Sequence, residues 1–349
     1  MIHFSNNIQD ALDSLLIPGR FDAVFALTDS NTKPLGKDVL ARWVPDAHFI
    51  TIPTGDESKT LNIATQVWNH LIEHNATRKS CLINLGGGVV SDLGGFCAAT
   101  YMRGIAFINI PTSLLAMVDA SVGAKNGINM GNMKNYVGTF TDPLAVIIHS
   151  PFLKTLEPHH MINGWAEVIK HAIIGGGELW KMTKTIPPIE DERRWNDLIE
   201  ANIQIKKNIV ETDMHEAGLR KVLNLGHTVG HAIESWHLMK GKHIEHGQAV
   251  AAGIRIESAI AVDIHVLSQQ TYAEIESRID AVFERISMNK EDFSIIIDFL
   301  RKDKKNAFGK INMSLPCDIG TVQFDIPVEL DIVQHALLNY AITAGSTSI

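Results

Sequence analysis

Ser80-Cys-Leu-Ile-Asn-Leu85-Gly86-Gly-Gly-Val-Val-Ser91-Asp92 reads as an apolar strand, a glycine turn and the opening of a helix. A short apolar run bounded by turn residues marks a strand buried on both faces, as in a parallel α/β sheet. Runs of the same kind flank it at Asp22–Thr28, His48–Ile52, Ile105–Ile110 and Leu144–Ile148. Leu61–His74, between two of them, has helical spacing of its apolar residues. Beyond about residue 160 the pattern turns helical, with long periods over 195–213, 222–239, 247–263 and 270–286. One stretch there alternates like a hairpin instead, Lys310–Leu315 with Gly320–Phe324. The expected fold is a Rossmann-like α/β domain over residues 1–155, then a mainly α-helical domain over 156–349. The active site is expected in the cleft between them.

The glycine turn has a chemical use. Where a strand end opens a helix, backbone N–H groups and the helix dipole can hold a pyrophosphate. The spacing fits G-x-G-x-x-S, so Ser91 stands where the dinucleotide fingerprint has its third glycine. Glycine at such a place also serves turn geometry alone. Two earlier strand ends carry Thr28-Asp29-Ser-Asn31 and Thr54-Gly-Asp-Glu57-Ser-Lys59. These are turn residues by default, yet Asp29 and Glu57 suit ribose hydroxyls. A nucleotide laid across successive strand ends fits the carboxyl edge of a parallel sheet. Because the glycine turn follows the third of these strands rather than the first, nucleotide binding is expected without a standard Rossmann dehydrogenase.

Metal chemistry is suggested by Asn224-Leu-Gly-His-Thr-Val-Gly-His231 and His243-Ile-Glu-His-Gly247. His227 and His231 are about one helical turn apart and share a face. His246 lies just before the apolar stretch Ala249–Ile254. Two imidazoles from different helices plus one carboxylate would make an open zinc site. An i,i+4 histidine pair equally serves as two independently hydrogen-bonded side chains. Spacing alone leaves both readings open.

Apolar residues make up 45% of the 349 and charged residues 20%, which describes a globular protein rather than a disordered one. Cys81, Cys97 and Cys317 stand far apart with no C-x-x-C, which argues against a disulfide frame or a cysteine zinc site. The first residues lack the basic start and apolar core of a signal peptide, and no apolar run reaches membrane-spanning length. A cytoplasmic protein without a membrane partner is expected. The net charge of −8 disfavours nucleic acid. Against that acidity, Lys125, Lys134, Lys170, Lys206, Arg220, Lys304 and Lys305 lie in or beside motif-like stretches. Singly each is a solvated surface charge; gathered, they would form a pocket for a small anion.

Several blocks together carry a resemblance. They are Gly86-Gly-Gly-Val-Val-Ser-Asp-Leu-Gly-Gly-Phe96, Ala99-Thr-Tyr-Met-Arg-Gly104 and Ile110–Lys125. Lys134-Asn-Tyr-Val-Gly138, Ala166-Glu-Val-Ile-Lys170, Asn224–His231 and Asp303-Lys-Lys-Asn306 continue the series. In order and spacing, from about residue 24 to 310, the chain resembles the 3-dehydroquinate synthase family. The resemblance implies a zinc- and NAD-dependent lyase of the shikimate pathway, with Co2+ an acceptable metal. Its substrate would be a sugar phosphate, 3-deoxy-D-arabino-heptulosonate 7-phosphate, and its products 3-dehydroquinate and phosphate. NAD oxidises the C5 hydroxyl, which acidifies the C6 proton. Phosphate leaves, the ketone is reduced again, the ring opens, and an intramolecular aldol closes the carbocycle. A homodimer is implied by the resemblance alone.

The resemblance also distributes roles. Glu167, His227 and His246 are the metal ligands, and His231 is a proton carrier or substrate contact. Lys170, a near-turn beyond Glu167, reaches the same substrate. Lys125, Asn135, Lys206, Arg220 and Asn224 hold carboxylate, hydroxyls and phosphate. Arg103 and Lys304 face the phosphate, where two or more cations are expected. Asp119 orients cofactor or substrate groups. Glu216, four residues before Arg220, would position that guanidinium as a helical i,i+4 pair. NAD contacts are implied at Asp29, Asn31, Glu57 and Lys59, and at Gly87, Gly88, Val89 and Asp92. Thr112, Ser113, Lys125, Lys134, Asn135, Phe152 and Thr155 complete that set.

The chain departs from the family pattern in places. The family usually has Gly at Ser91 and Ala124, Thr at Ser113 and Asn126, and Gln at Met117. Ser91 and Ala124 add side chains where backbone approaches a helix or ligand, so NAD affinity is where a change would be felt. Rival readings are other sugar-phosphate cyclases and a glycerol dehydrogenase-like polyol dehydrogenase. The former diverge at substrate contacts, whereas Arg220, Asn224, His231 and Asp303–Asn306 keep the dehydroquinate pattern. The latter would not need these cations and would release NADH. A non-catalytic sugar-phosphate sensor would have lost Glu167, Lys170, His227 or His246, and all are present.

Overall fold

The computed structural model describes residues 1–5, 7–36, 40–131, 133–302 and 310–345. The chain divides into two compact units, Met1–Met161 with Pro188–Ile203, and Ile162–Pro187 with Gln204–Ile349.

The first unit is built on strands β1 (Ile2–Phe4), β2 (Val24–Asp29), β3 (His48–Ile52), β4 (Cys81–Gly86), β5 (Ala106–Pro111) and β8 (Ala145–Ile148). They form one sheet in the order β1-β8-β5-β4-β2-β3, parallel at every pairing. The five expected strands are all there. Two features were not expected: β1, and an antiparallel hairpin of β6 (Lys125–Met130) with β7 (Met133–Phe140).

Every residue of β4 is buried, which is why its sequence is continuously apolar rather than alternating. Asn84 is the exception in chemistry. Its amide N–H donates to the side-chain oxygen of Asn109 on β5 at 2.9 Å, while its own side-chain oxygen is buried without a partner. Helix α1 (Ile8–Leu15) precedes β2, α2 (Leu61–Glu73) follows β3, and α3 (Gly88–Thr100) follows β4. A Cβ on Gly94 of α3 would stand 1.9 Å from Asn84 Oδ1, and one on Gly95 equally close, 1.9 Å, to Asn126 Oδ1. Two glycines thus let α3 rest directly on buried amides. Val67 and Leu71 of α2 join Phe25, Leu82, Leu93 and Phe96 in the core.

The strand order matters for the site. From β2 the chain goes to β3 on one side and then returns to β4 on the other. The reversal sets Asp29, at the end of β2, beside Gly86, at the end of the paired strand β4. This is the switch point at which parallel sheets bind nucleotides.

Three family departures find local partners. Ser91 Oγ lies 3.1 Å from Ser121 Oγ and ties α3 to the segment after Asp119. Asn126 donates to the carbonyls of Ala124 (3.0 Å) and Thr141 (2.9 Å), bracing the hairpin. Met117 is wholly buried and packs as an apolar side chain. Ala124 holds a left-handed φ of 62°, a conformation that favours glycine, so it keeps its backbone path under strain.

The second unit is mainly helical: α4 (Pro158–Gly175) supplies most of its length to it, and α5 (Glu192–Thr212) enters it at Gln204 after a first half in the other unit. Then come α6 (His227–Met239), α7 (His246–Asp263), α8 (Gln269–Asp280), α9 (Lys290–Lys302) and α10 (Leu330–Gly345). The expected hairpin is present as β9 (Lys310–Asp318) and β10 (Thr321–Glu329). Two helical expectations need correction. The 222–239 stretch is broken: a 3-10 turn at Leu219–Asn224 ends before Gly226, whose φ of 77° admits no ordinary helix. The 270–286 stretch stops at Asp280.

Candidate active site

Three helices of the second unit bring the metal candidates together. Glu167 and Lys170 sit on α4, His227 and His231 on the first turns of α6, and His246 at the first position of α7. Close backbone packing makes this possible. A Cβ on Gly253 of α7 would stand 2.0 Å from the Gly226 carbonyl oxygen, and one on Gly230 would stand 3.1 Å from that of Ala249. On the other side, a Cβ on Gly247 would stand 2.0 Å from the Asn163 carbonyl oxygen of α4. No side chain fits at either crossing. Gly253→Ala is therefore expected to cost about 1–3 kcal/mol of stability and to weaken metal binding. Melting temperature and metal content check it, and a variant with both unchanged would show that the helices have slack.

His227 Nε2 is 3.4 Å and His246 Nε2 is 3.6 Å from the same oxygen, Glu167 Oε1. Ligands about 2.0–2.1 Å from a tetrahedral zinc stand about 3.4 Å apart. The separations suit a shared ion. The ring orientations agree. His227 Nδ1 is 3.1 Å from the Leu225 carbonyl, so the ring donates there and turns Nε2 toward Glu167. His246 Nδ1 is 3.3 Å from Glu234 Oε1, the carboxylate–histidine arrangement that orients metal ligands.

Burial, with the Lys170 charge adding to it, holds His227 neutral, its pKa lowered to about 3 against the opposing pull of Glu167. For His246, burial works against the charge, but Glu234 and Glu167 outweigh it and push the pKa up to about 10. The carboxylates that favour a proton there favour a divalent cation in its place. A competing donor set, His231 with Glu234 and His246, also lies within reach of one ion. It would make a ligand of the Glu234 carboxylate that orients His246, and His231 is exposed. The Glu167 set has the better orientation. Lys170 pairs with the Glu167 carboxylate, and both side chains are almost inaccessible.

The anion-binding candidates are partly built. Lys170, Lys206 and Arg220 are each more than nine-tenths buried. One part of the Glu216 expectation needs correction: residues 213–218 form a turn rather than a helix. Glu216 accepts from the Asn224 amide at 2.7 Å. The turn is shaped by Asp213, whose carboxylate accepts from the backbone of Ala217, Gly218 and Arg220. Those bonds, Gly218 first, hold its carboxyl below the usual range. The hairpin β9–β10 braces the 3-10 turn that follows: Ser314 donates to the Lys221 carbonyl at 2.6 Å, and Lys221 pairs with Asp325 at 2.6 Å. Lys304 lies outside the described residues.

On the first unit, α3 starts at a glycine cap, Gly87, with no side chain capping its N–H groups, which leaves that end suited to phosphate. Gly88 and Val89 follow in the same turn. Thr112 N–H donates to the Gly86 carbonyl at 3.0 Å, so it supports the turn, and Ser113 follows it. Asp29 accepts from the backbone and hydroxyl of Thr32, with exposed Asn31 between them. Lys59, buried, reaches Asp92 of α3 at 2.6 Å. Glu57 is exposed, and Lys134 lies 3.4 Å from Asp56. Asn135 donates its N–H to Asn129, and exposed Lys125 opens β6. Arg103 is exposed at a left-handed turn, φ 69°. Thr155 donates to the carbonyl of buried Phe152 at 2.8 Å, and Asp119 is partly buried in the turn before Ser121.

Two carboxylates escaped sequence reasoning. Glu234 orients His246, as above. Glu257, fully buried in α7, accepts from Gly226 N–H and from Val229 N–H at 3.0 Å, and so holds the N-terminal turn of α6. Burial pushes its carboxyl up to about 8, against those backbone donors. The available signal was a charged residue inside Ala249-Val-Ala-Ala-Gly-Ile-Arg-Ile-Glu257-Ser-Ala-Ile-Ala-Val262, a helix with no polar face for it.

The family profile for "3-dehydroquinate synthase N-terminal" matches residues 49–163, and that for "3-dehydroquinate synthase C-terminal" matches residues 164–306. A 3-dehydroquinate synthase of Parabacteroides distasonis is 36% identical over 345 residues, spanning 97% of this chain and 96% of its own. Among solved structures, 2-deoxy-scyllo-inosose synthase complexed with carbaglucose-6-phosphate, NAD+ and Co2+ shares the fold. Its TM-score is 0.85 at 22% identity, over 96% of this chain and 95% of its own. The 2-epi-5-epi-valiolone synthase of Streptomyces hygroscopicus, with NAD+ and Zn2+ bound, matches with a TM-score of 0.85 at 23% identity. The coverage is 98% of this chain and 97% of its own.

Proposed function

This chain belongs to the 3-dehydroquinate synthase family, and from that premise we propose that it is a phosphate-eliminating lyase using NAD and a divalent metal. It converts 3-deoxy-D-arabino-heptulosonate 7-phosphate to 3-dehydroquinate and phosphate. The observation that carries this reading is the convergence of His227 and His246 on one oxygen of Glu167 at tetrahedral-edge distances.

When bound, NAD supplies a hydride acceptor that later returns the hydride, and Zn2+ or Co2+ supplies a Lewis acid for the hydroxyl being oxidised. Glu167, His227 and His246 hold the metal. Glu234 and the Leu225 carbonyl fix the two rings so that the ligand nitrogens face it. Lys170 balances the Glu167 charge beside the substrate. Lys206, Arg220 and Asn224 orient the carboxylate and hydroxyls, with Glu216 aligning the Asn224 amide. His231, exposed at the rim, carries a proton, and Arg103, Lys125, Asn135 and Lys304 serve the phosphate. On the first unit the Gly87–Val89 turn cradles the pyrophosphate, while Asp29 and Glu57 take ribose hydroxyls. Lys59, Asp92, Thr112, Ser113, Lys134, Phe152 and Thr155 complete the cofactor site, and Asp119 orients its groups. A homodimer in the cytoplasm belongs to this proposal on family grounds. Among the described residues no helix is long and apolar enough to cross a membrane.

NAD recycling is the decisive test. Phosphate release from the heptulosonate phosphate is expected to run for many turnovers per NAD, with no steady rise in NADH absorbance, and to stop on chelation. One NADH accumulating per turnover would instead mark a polyol dehydrogenase.

A further inference from the structure

Away from the catalytic donors, the first unit contains a second histidine cluster that the reaction does not use. His70-Leu-Ile-Glu73-His74 lies at the C-terminal end of α2, and its spacing puts all three polar side chains on one face. Each offers a ligand atom, and these atoms lie within 4.8 Å of one another. The His70 and His74 rings stack with centroids 4.2 Å apart, and His48, the first residue of β3, has its ring 4.6 Å from that of His74. His74 Nδ1 is 2.9 Å from the His70 carbonyl, which leaves Nε2 as its ligand nitrogen. His70 Nε2 is sealed from solvent and has no hydrogen-bond partner. A buried ring nitrogen without a partner is costly, and packing alone does not account for three imidazoles in contact.

We propose that His70, Glu73 and His74, with His48 beside them, form a second site for a divalent cation of the zinc class. The donor set decides the class. Imidazoles with one carboxylate suit Zn2+, Co2+ or Ni2+, whereas Ca2+ and Mg2+ need oxygen-rich shells. The donor atoms lie within 4.8 Å of one another, against the roughly 3.4 Å edge of a tetrahedral site. Glu73 is exposed and His74 half-buried, so both have room to turn inward around an ion arriving from solvent. The ion would pin the end of α2 to the start of β3. Its role is structural, and it rests on no part of the catalytic reading.

The test is metal stoichiometry on the untagged, full-length, metal-stripped protein, titrated with Co2+ by absorbance and with Zn2+ by equilibrium dialysis. The wild type is expected to take two equivalents, and His227→Ala one. His70→Ala/His74→Ala is also expected to take one, with the His227 site intact. Zn2+ is further expected to raise the melting temperature of His227→Ala. One equivalent in the wild type, lost in His227→Ala, overturns the proposal, as does a second equivalent that survives the double substitution. Should that variant not fold, exposed Glu73→Gln is expected to weaken the second equivalent at least tenfold. Unchanged second-site affinity in it overturns the proposal equally.

Discussion

Metal analysis of His227→Ala is expected to show the catalytic equivalent gone, with turnover reduced about a thousandfold or more, whereas His231→Ala keeps that equivalent. A bound Lewis acid contributes several kcal/mol at the developing charge, and each 1.4 kcal/mol is about tenfold in rate. Glu167→Gln should behave like His227→Ala, because the oxygen that both histidines approach belongs to that carboxylate. Glu234→Gln is the graded case. It touches the metal only through His246, so affinity should fall about 10- to 100-fold rather than vanish. Equal metal loss in His227→Ala and His231→Ala would overturn the ligand assignment, and loss in His231→Ala alone would favour the His231, Glu234 and His246 set.

How much of this was legible follows from the range of each signal. The five central strands announce themselves because burial on both faces demands apolar residues at every position, as in β4. Strand β1 has three residues, too few to show any period, and exists because it pairs with β8, more than a hundred positions away. The hairpin β6–β7 hides in Lys125-Asn-Gly-Ile-Asn-Met130, whose polar and glycine content suggests a loop. Gly226 interrupts a stretch whose apolar spacing continues straight through it. Only the approach of α7, closer than any Cβ permits, shows why a glycine must stand there.

The site divides the same way. His227 and His246 could be suspected from helical spacing, and their carboxylate came only with the family resemblance. Glu234 and Glu257 were passed over because a charged residue on a helix is by default assigned to the solvated face. Here both point inward to hold other groups, one a ring nitrogen and one a pair of backbone N–H groups. The backbone at Glu216 misled in the opposite direction. Its spacing to Arg220 suggested a helix, whereas Asp213 folds that segment into a turn.

A non-reacting substrate analogue carrying both a carboxylate and a phosphonate is expected to raise the melting temperature, and Arg220→Met or Lys206→Met to remove most of that rise. Lys170, Lys206 and Arg220 are cations taken almost wholly out of water in the second unit of an acidic chain. Desolvation disfavours each charge, so an anion that binds the native protein alone relieves a cost already present. At a hundred times its dissociation constant such a ligand adds about 2.7 kcal/mol, or roughly 2–4 °C in a chain of this size. The ligand-induced shift is the quantity to read, since replacing a buried cation with Met also changes the stability of the free protein. A lysine control must be solvated. Lys240 pairs with Asp292 and lies 4.8 Å from the Trp236 ring centre, so exposed Lys184→Met is the better choice. If the analogue stabilises the Arg220, Lys206 and Lys184 variants equally, these buried cations do not bind the substrate's anions, and the sugar-phosphate assignment loses its main physical support.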